Sequence, residues 1–288
     1  MKSAKKHLLC IDFESWIFSE RINKKRLNLK ELRKLDNGYT LQVADYILKT
    51  LKKYKQKVTF FLVFKLEQLY PGLIDKILSQ GHEIGWHGHS HAVIRNTKIL
   101  KKELEASKKI LQKYSIKGFQ APTITFIREG YSLLKKYGFL YSSSIYGDSE
   151  KIYKLDGVYE IPVSVSNTFH SPSESEIDFP SNMRLSKVFK VGIPYGSSFF
   201  WKILGKNYYG NKLKSPKKTK VQNLFIHDWQ LVTPNSKEYK KDIGFLTNPL
   251  FFPFFLVYRK NVSDIFEYLL SNFSFQTMDK YLRQKGKY

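Results

Sequence analysis

Short apolar runs alternate with longer amphipathic stretches along this chain of 288 residues. The apolar runs are rich in β-branched and aromatic residues, which is typical of buried strands. The longer stretches repeat their apolar positions every three to four residues, which predicts helices that pack one face on the strands. The pattern predicts strands at 7–13, 58–63, 83–86, 118–120, 159–163 and 223–227, and helices at 41–54, 71–80, 97–114, 129–136 and 261–273.

This alternation favours parallel strands joined by helical crossovers, which is the α/β class. A closed barrel is one arrangement of such units, and its functional groups lie at the carboxyl ends of the strands. The chain contains no internal repeat and no linker that clearly divides it. We therefore expect a single domain.

Three of the predicted strands end in groups that suit metal binding or proton transfer. The first ends with Asp12 and Glu14, which the alternation of side chains along a strand would place on one side. The third leads into a histidine-rich segment that contains His87 and His91, and a late strand ends at His227. Because the functional groups of a barrel gather at the carboxyl ends of its strands, we expect these five side chains to meet.

His87 and His91 have the spacing of two zinc-binding histidines on a helical turn. Gly85 and Gly88 favour instead a strand end followed by a tight turn, which can also bring the imidazoles together. With Glu14 they would supply three protein ligands and leave a fourth position open, as in catalytic zinc sites. The spacing alone is also found without metal, and the same ligands suit cobalt, nickel and iron. The interpretation therefore depends on the three strand ends together.

Composition narrows the classes of protein that the chain could represent. Apolar residues make up 42% of the sequence, which is enough for a sizeable core and excludes a disordered protein. The single cysteine, Cys10, excludes an internal disulfide and a four-cysteine zinc site. The first apolar run is too short for a secretory signal, and no run approaches the length of a membrane span. These features favour a cytoplasmic protein.

The formal net charge is +24, from 49 basic and 25 acidic residues, and lysine supplies most of the excess. One interpretation is an anionic partner such as a nucleic acid, an acidic phospholipid or a phosphorylated substrate. The other is a lysine-rich, well-solvated surface, which composition alone favours. The chain contains no zinc-finger spacing, RNA-binding aromatic signature or heptad zipper. We therefore expect no nucleic-acid partner.

The strand ends and their surroundings resemble the motifs of the polysaccharide deacetylase family, also known as the NodB-homology family or carbohydrate esterase family four, in its Asp-x-Glu subgroup. The resemblance covers roughly residues 7–232. The stretch 81–91, Gly-His-Glu-Ile-Gly-Trp-His-Gly-His-Ser-His, is the most specific match. The other matching stretches are 9–16, 118–122, 134–144, 160–164 and 224–229.

The resemblance implies a distorted (β/α)₇ barrel and a metal-dependent hydrolase that removes N-acetyl or N-formyl groups from amino sugars. Asp12 would be the general base and His227 the general acid. Glu14, His87 and His91 would hold a divalent metal, for which zinc is favoured. The deacetylase-like domain would span 1–288, with a motif core to about residue 232 and a helical extension over 233–288. The candidate substrate contacts are Trp86, Gln120, Pro122 and Trp229, although core packing explains either tryptophan at least as well.

The sequence departs from the family pattern at three places. Gln120 stands where an arginine normally orients the catalytic aspartate and keeps it ionised, and Ser142 replaces a common aspartate. The region around Glu160 contains no clear Asp-Trp pair to orient His227. These departures leave open a weakly active or inactive metal- or carbohydrate-binding homologue. The Asp-x-Glu motif also leaves open a relative that hydrolyses a non-sugar amide or cyclic ureide.

The segment 179–227 contains no acidic residue, and its basic residues alternate with aromatic ones. With the apolar run Pro249–Tyr258, it predicts contact with an anionic substrate or membrane surface, and a solvated lysine-rich loop explains it about as well. We therefore expect the amino sugar to belong either to a polysaccharide or to a glycan precursor linked to lipid through phosphate, as in lipid-linked aminoarabinose deformylases, the latter with peripheral contact at the inner face of the membrane. The basic residues are Arg184, Lys187, Lys190, Lys202, Lys206, Lys212, Lys214, Lys217, Lys218 and Lys220.

Overall fold

The computed structural model describes residues 6–166, 177–181, 192–214, 221–246 and 261–288. The strands are β1 (Lys6–Phe13), β2 (Thr59–Leu62), β3 (Glu83–Trp86), β4 (Gly118–Phe119), β5 (Tyr141–Ser142), β6 (Tyr146–Gly147), β7 (Tyr153–Leu155), β8 (Val158–Glu160), β9 (Val163–Ser164), β10 (Asn223–His227) and β11 (Ser274–Gln276). The α-helices are α1 (Glu20–Asn23), α2 (Leu29–Asp36), α3 (Tyr39–Lys53), α4 (Lys65–Leu69), α5 (Leu73–Leu78), α6 (Thr97–Lys113), α7 (Gly130–Lys136), α8 (Trp201–Lys214), α9 (Lys237–Leu246), α10 (Ser263–Asn272) and α11 (Met278–Gln284).

The main sheet contains parallel neighbours in the order β10-β1-β2-β3-β4-β5-β8, and β7 extends it antiparallel to β8. In this order β10 and β8 lie far apart, and side chains bridge the gap between them. Asn223 donates hydrogen bonds from Nδ2 to the carbonyl oxygens of Ile161 and Pro162, at 3.3 and 3.1 Å. The predicted fold, a distorted α/β barrel, is therefore confirmed.

The register of β1 positions the candidate acid and base. Its residues from Leu8 to Ile11 are fully buried, as expected for a strand that packs on both faces inside a parallel sheet. On one side β1 pairs with β10, so that Asp12 lies directly beside His227. On the other side β1 pairs with β2, which in turn pairs with β3 up to Trp86, the residue before His87. The carboxyl ends of β1, β3 and β10 therefore meet at one end of the barrel.

The C-terminal segment differs from the predicted helical extension, because it also contributes a strand. β11 pairs in parallel with residues 6–8 of β1, next to the amino end of that strand. Buried side chains of α11, including Met278 and Leu282, then pack at the same end of the barrel. Three residues give too short a pattern for the sequence to reveal this strand.

Within the described ranges, the structure has no helix with both the length and the apolar content needed to cross a bilayer. The apolar run Pro249–Tyr258 lies outside those ranges, as do six of the basic residues between 179 and 227. These six are Arg184, Lys187, Lys190, Lys217, Lys218 and Lys220.

Candidate metal and catalytic site

A cavity of roughly 320 Å³ opens at the carboxyl ends of β1, β3 and β10. The five residues predicted from the strand ends all line it: Asp12, Glu14, His87, His91 and His227. Much of the remaining wall is aromatic and consists of Trp16, Tyr146, Phe199, Phe225, Trp229 and Tyr239. The sequence therefore identified residues that the fold brings into a single site.

Glu14, His87 and His91 form a compact group of possible metal ligands. One donor atom from each lies within 4.8 Å of the others. Glu14 Oε2 is 2.7 Å from His91 Nε2 and 3.4 Å from His87 Nε2. The contact with His91 is not in hydrogen-bonding geometry, and His91 Nε2 is a buried atom without a hydrogen-bond partner among the described residues. Two imidazole nitrogens and a carboxylate oxygen are a ligand set that fits a divalent cation. The buried His91 Nε2, which lacks a hydrogen-bond partner within the described ranges, also fits a metal ligand.

Hydrogen bonds on the far side of His87 fix which nitrogen faces this group. Its Nδ1 lies 2.9 Å from the backbone carbonyl oxygen of Gln120. Because a carbonyl only accepts, Nδ1 carries the proton and Nε2 presents a lone pair towards Glu14. A metal ligand requires this tautomer.

The electrostatics of the group suit metal binding at Glu14 and His87 but favour a proton on His91, where burial lowers the pKa and Glu14 outweighs it, so that the pKa lies above its usual value. Burial opposes ionisation of Glu14, but the nearby imidazoles of His91, His227 and His87 outweigh it, so the pKa of Glu14 is well below its usual value. Burial lowers the pKa of His87, although Glu14 opposes this shift. Glu14 is therefore anionic and His87 neutral near pH 7.

A buried carboxylate shapes the loop that follows His87. Glu103, on α6, accepts hydrogen bonds from the backbone amides of His89 and Ser90, both at 2.8 Å. Gly88 has a φ of 83°, and a side chain there would come within 3.2 Å of the Glu103 carboxylate. Together these features turn the chain so that His91, with a φ of 60°, returns to the cavity.

The turn after β1 is held in a similar way by buried acids. Ser15 has a φ of 51°, an unusual conformation for a residue other than glycine. Its amide donates to Asp228 at 3.3 Å, and its hydroxyl donates to Asp36 at 3.3 Å. Asp36 also accepts from Thr40 Oγ1 at 2.7 Å. This network keeps Glu14 at the edge of the cavity where the histidines lie.

Asp12 faces His227 across the cavity, with 4.0 Å between Oδ2 and Nε2. Burial raises the pKa of Asp12 well above its usual value, and Glu14 and Asp228 add to the effect. By the resemblance described above, Gln120 stands where an arginine is expected. With its amide oriented to satisfy both groups, its nitrogen donates to both carboxylate oxygens of Asp12, at 3.1 Å to Oδ2. An uncharged donor thus orients Asp12 here.

Polar and aromatic side chains hold the ring of His227 at the cavity wall. Its Nδ1 lies 2.9 Å from Gln230 Oε1 and 3.4 Å from Ser198 Oγ. Its ring stacks on Trp229, with centroids 5.0 Å apart and planes inclined by 25°. Phe199 meets the ring edge-on at 5.4 Å. Burial lowers the pKa of His227, while Glu14 and the hydrogen bond with Gln230 oppose the shift.

Three of the four predicted substrate contacts are placed elsewhere by the structure. Trp86 is fully buried, packs on Phe119 at 5.2 Å and donates to Ser107, because it points into the helical layer. Gln120 is also fully buried, and its side chain is directed at Asp12. Pro122 is buried within the 3₁₀ turn that it begins, and it does not line the cavity. The next two residues, Thr123 and Ile124, line it instead.

Trp229 lies in the cavity wall, but its polar atom is used within the protein. The indole Nε1 donates to Glu14 Oε1 at 2.8 Å. This hydrogen bond leaves Glu14 Oε2 to face the two histidines. The prediction that Trp229 stacks on a sugar stays a prediction.

Sequence reasoning missed Glu103, Asp228 and Gln230 as supports of the site. Glu103 had a visible signal, since it is an acid on the apolar face of α6 beside Leu100 and Leu104. Gln230 follows His227 by three residues, a spacing that a 3₁₀ turn brings into contact. Asp228 gave no signal, because its acceptor role depends on the turn after β1.

Comparisons with known proteins show similarity to deacetylases. A family model described as polysaccharide deacetylase matches residues 34–141. The peptidoglycan-N-acetylmuramic acid deacetylase PdaC of Bacillus subtilis is 32% identical over 82 residues, which cover 28% of this chain and 18% of that protein. A peptidoglycan-N-acetylglucosamine deacetylase of Bacillus cereus is 34% identical over 77 residues, which cover 27% of this chain and 26% of that protein. The chain thus matches under a third of the length of either relative.

A solved structure extends the likeness to most of the chain. It is described as a candidate polysaccharide deacetylase from Mycobacterium smegmatis, and it superimposes with a TM-score of 0.52 over 85% of this chain and 86% of its own. At 16% sequence identity, this likeness establishes a shared fold. Together with the family model and the sequence relatives, it shows that the chain is similar in fold, and over residues 34–141 in sequence, to polysaccharide deacetylases.

Proposed function

We propose that this protein is a metal-dependent hydrolase that removes an N-acetyl or N-formyl group from an amino sugar in a glycan. The observation that best supports the proposal is the cavity in which Glu14, His87 and His91 converge beside Asp12 and His227. The relatives are named as deacetylases of peptidoglycan N-acetylglucosamine and N-acetylmuramic acid. An N-acylated hexosamine is therefore the substrate class that we propose here.

We propose that Glu14, His87 and His91 hold the metal, and that the metal is zinc. Two imidazoles and one carboxylate form a common ligand set of catalytic zinc. A divalent cation held there supplies Lewis acidity, which polarises a carbonyl group and lowers the pKa of a water molecule. The anionic Glu14 and neutral His87 described above suit this role, and the metal would displace the proton that Glu14 favours on His91.

The other residues then divide the proton transfers between them. Asp12 accepts a proton from the water whose oxygen attacks the amide carbon, and its raised pKa suits a base that works near neutral pH. The backbone amide of Thr123, a residue of the cavity wall, is our candidate donor to the developing oxyanion. His227 donates a proton to the nitrogen as the C–N bond breaks, which yields a carboxylic acid and a free amine.

Release of acetate and formate from N-acylated glucosamine oligomers and peptidoglycan fragments tests this proposal. We expect activity that a chelator abolishes and added zinc restores. Asp12→Asn and His227→Ala should lower kcat by at least about 100-fold with the metal content unchanged. His87→Ala should lose the metal and keep the fold by circular dichroism.

Other outcomes of the same assay would contradict the proposal. Full hydrolysis by Asp12→Asn would rule out its role as the base. Hydrolysis of a cyclic ureide, but of no amino sugar, would favour the non-sugar alternative. Binding of glycan without turnover at any metal loading would favour an inactive homologue.

We further propose that the glycan is linked to lipid through phosphate and that the protein acts in the cytoplasm at the inner membrane face. Support comes from the basic segment, of which Lys212 and Lys214 lie in the described part of α8. Lys202 and Lys206 on the same helix share the single carboxylate of Asp264, at 2.5 and 3.5 Å, which offsets one of their two charges. The single cysteine, buried and reduced, suits a reducing compartment.

Co-sedimentation with liposomes tests the membrane part of this proposal. We expect binding to vesicles that contain phosphatidylglycerol, weakening as salt is raised, and no binding to vesicles of phosphatidylcholine alone. Lys212→Glu, with Lys53→Glu on a different helix as the control, should reduce binding more than the control does. Equal binding to both kinds of vesicle would contradict the proposal.

A further inference from the structure

The side chain of Gln230 contacts the Nδ1 edge of the His227 ring, whereas Nε2 is the ring nitrogen near Asp12. Its Oε1 is 2.9 Å from His227 Nδ1 and 3.4 Å from the backbone nitrogen of the same residue. Gln230 is 3% exposed, and the 3₁₀ turn Asp228–Gln230 brings it back over the residue three positions earlier. The contact is therefore a product of the local fold.

The backbone contact identifies the protonated nitrogen of the ring. A backbone N–H can only donate, so the amide atom that faces it and His227 Nδ1 is the oxygen of Gln230. An oxygen acceptor requires a proton on Nδ1. Nε2 is then the nitrogen that faces the cavity, 4.0 Å from Asp12 Oδ2.

Ser198 holds the amide in place from a second element. Its hydroxyl donates to the same oxygen of Gln230 and lies 3.4 Å from His227 Nδ1. The serine belongs to a segment fixed against β10, since the amide of Phe225 donates to the Gly196 carbonyl at 2.8 Å. A side chain at Gly196 would come within 2.6 Å of the Asn223 carbonyl oxygen, so only glycine allows this approach.

We propose that Gln230, held by Ser198, is the positioning residue of the candidate acid His227. It fixes the Nδ1–H tautomer and the orientation of the ring, the task for which the sequence offered no aspartate near Glu160. Its catalytic consequence depends on the function proposed above. The oxygen of Gln230 accepts from Nδ1 in both the neutral and the cationic ring, so Nε2 can gain a proton and pass it to the leaving amine without movement of the ring.

A neutral acceptor suits this position because the cavity already contains several acidic groups. Asp12, Glu14 and Asp228 are all buried nearby. Another carboxylate beside His227 would be costly to desolvate and would repel these three. The amide supplies the hydrogen bond without adding a charge.

Gln230→Met removes the acceptor at similar size, and Gln276→Met is a matched control. Gln276 is another buried glutamine, on β11 at the opposite end of the barrel. NMR of the ring nitrogens, in protein with isotope-labelled histidine, reports the tautomer. The variant His227→Gln identifies which signal belongs to His227. Acetate release from an N-acetylglucosamine oligomer, with zinc bound, reports kcat and KM.

We expect the Nδ1–H tautomer at His227 in the parent and in Gln276→Met, and its loss in Gln230→Met. We expect kcat of Gln230→Met to fall by about 10- to 100-fold with KM within about twofold, since only an interaction of the transition state is removed. Ser198→Ala should keep the tautomer and lower kcat less.

An Nε2–H tautomer in the parent, or an unchanged tautomer in Gln230→Met, would overturn the inference whatever the activity. An unchanged kcat in Gln230→Met, in an active parent, would also overturn it. An inactive parent with the Nδ1–H tautomer and normal zinc content would contradict the proposed function and leave the positioning of the ring supported.

Discussion

Trp229 connects the two halves of the candidate site through one side chain. Its N–H donates to Glu14 Oε1, and its ring stacks on His227. Partners of this kind hold a metal ligand in its binding orientation, and their removal typically lowers metal affinity by about 10- to 100-fold. We therefore expect Trp229→Phe, which keeps an aromatic ring and loses the N–H, to weaken zinc binding by about that factor.

Competition with a chromogenic chelator would measure this change. Trp201→Phe is a matched control, because Trp201 is fully buried and its Nε1 has no hydrogen-bond partner within the described residues. The control should bind zinc as the parent does. An equal affinity in both variants would contradict the role of the indole N–H.

Glu160 makes stability depend on pH. It is fully buried, accepts from the amide of Ser144 at 2.6 Å and from Tyr131 at 2.8 Å, and burial raises its pKa to about 7. In the unfolded chain the group titrates at its ordinary pKa, so between that value and pH 7 the folded state binds more protons. The free energy of unfolding therefore falls as pH rises through this window, by up to about 3 kcal/mol.

Glu160→Gln removes this titration and keeps an oxygen for the amide of Ser144. We expect the variant to gain stability relative to the parent between pH 5 and pH 8, by about 2–3 kcal/mol. Urea unfolding of both proteins at several pH values would measure the difference. A difference that does not change with pH would show that Glu160 is ionised throughout.

Individual positions show where sequence reasoning succeeds and where it ends. Asp12 and His227 were predictable, because strand ends in a parallel sheet meet whatever the details of packing. The sequence also placed Gln120 where an arginine orients the aspartate, and its amide does contact Asp12. Trp86 was placed wrongly because a tryptophan beside a site motif is equally suited to the core.

The loop between β3 and α6 depends on a single acid of the helix. Glu103 accepts two backbone hydrogen bonds from this loop and a third from the hydroxyl of Ser90 at 2.8 Å. Glu103→Ala leaves these donors unsatisfied in a buried place, which costs about 1–3 kcal/mol for each group. We expect the variant to lose about 3 kcal/mol of stability and to bind zinc at least about 10-fold more weakly, because His91 follows the loop.

Urea unfolding and zinc competition would check both expectations. Glu105→Ala is the control on the solvent-exposed face of the same helix, where Glu105 accepts a hydrogen bond from the hydroxyl of Tyr137. Zinc affinity should be unchanged in this control. A Glu103→Ala protein that binds zinc normally would show that the loop keeps its shape without the carboxylate.

The elements that the sequence predicted are those long enough to show a period. α6 matches the expected helix to within one residue, and β10 matches its predicted strand. The strand expected over 159–163 is divided between β8 and β9, and the short strands β6 and β7 were not expected. Segments of two or three residues form strands here because adjacent strands supply their hydrogen-bonding partners. A local sequence pattern does not contain this information.

The C-terminal segment joins the rest of the chain through the amino end of the barrel. The amide of Met278 donates to Thr59 Oγ1 at 3.0 Å, and that of Asp279 donates to Glu83 at 3.2 Å. Because β11 also pairs with β1, the segment contributes to the same sheet that carries the candidate site at its other end. We therefore propose that the chain unfolds as one cooperative unit, with no separate C-terminal domain.

Leu282→Ala tests whether the C-terminal segment unfolds together with the barrel. Leu282 is fully buried in α11, far from the metal ligands in the sheet. Truncation of a buried leucine costs about 2–5 kcal/mol, through lost burial and the cavity that remains. We expect the free energy of unfolding to fall by an amount in that range. Tryptophan fluorescence and circular dichroism should both report it as one transition, and the folded variant should bind zinc as the parent does. Arg283→Ala, at the neighbouring exposed position, removes an ion pair with Asp279 and a contact over the Tyr288 ring, and should cost about 1 kcal/mol. Two separate transitions in the parent, with only one of them shifted by Leu282→Ala, would instead show that the C-terminal segment folds independently of the barrel.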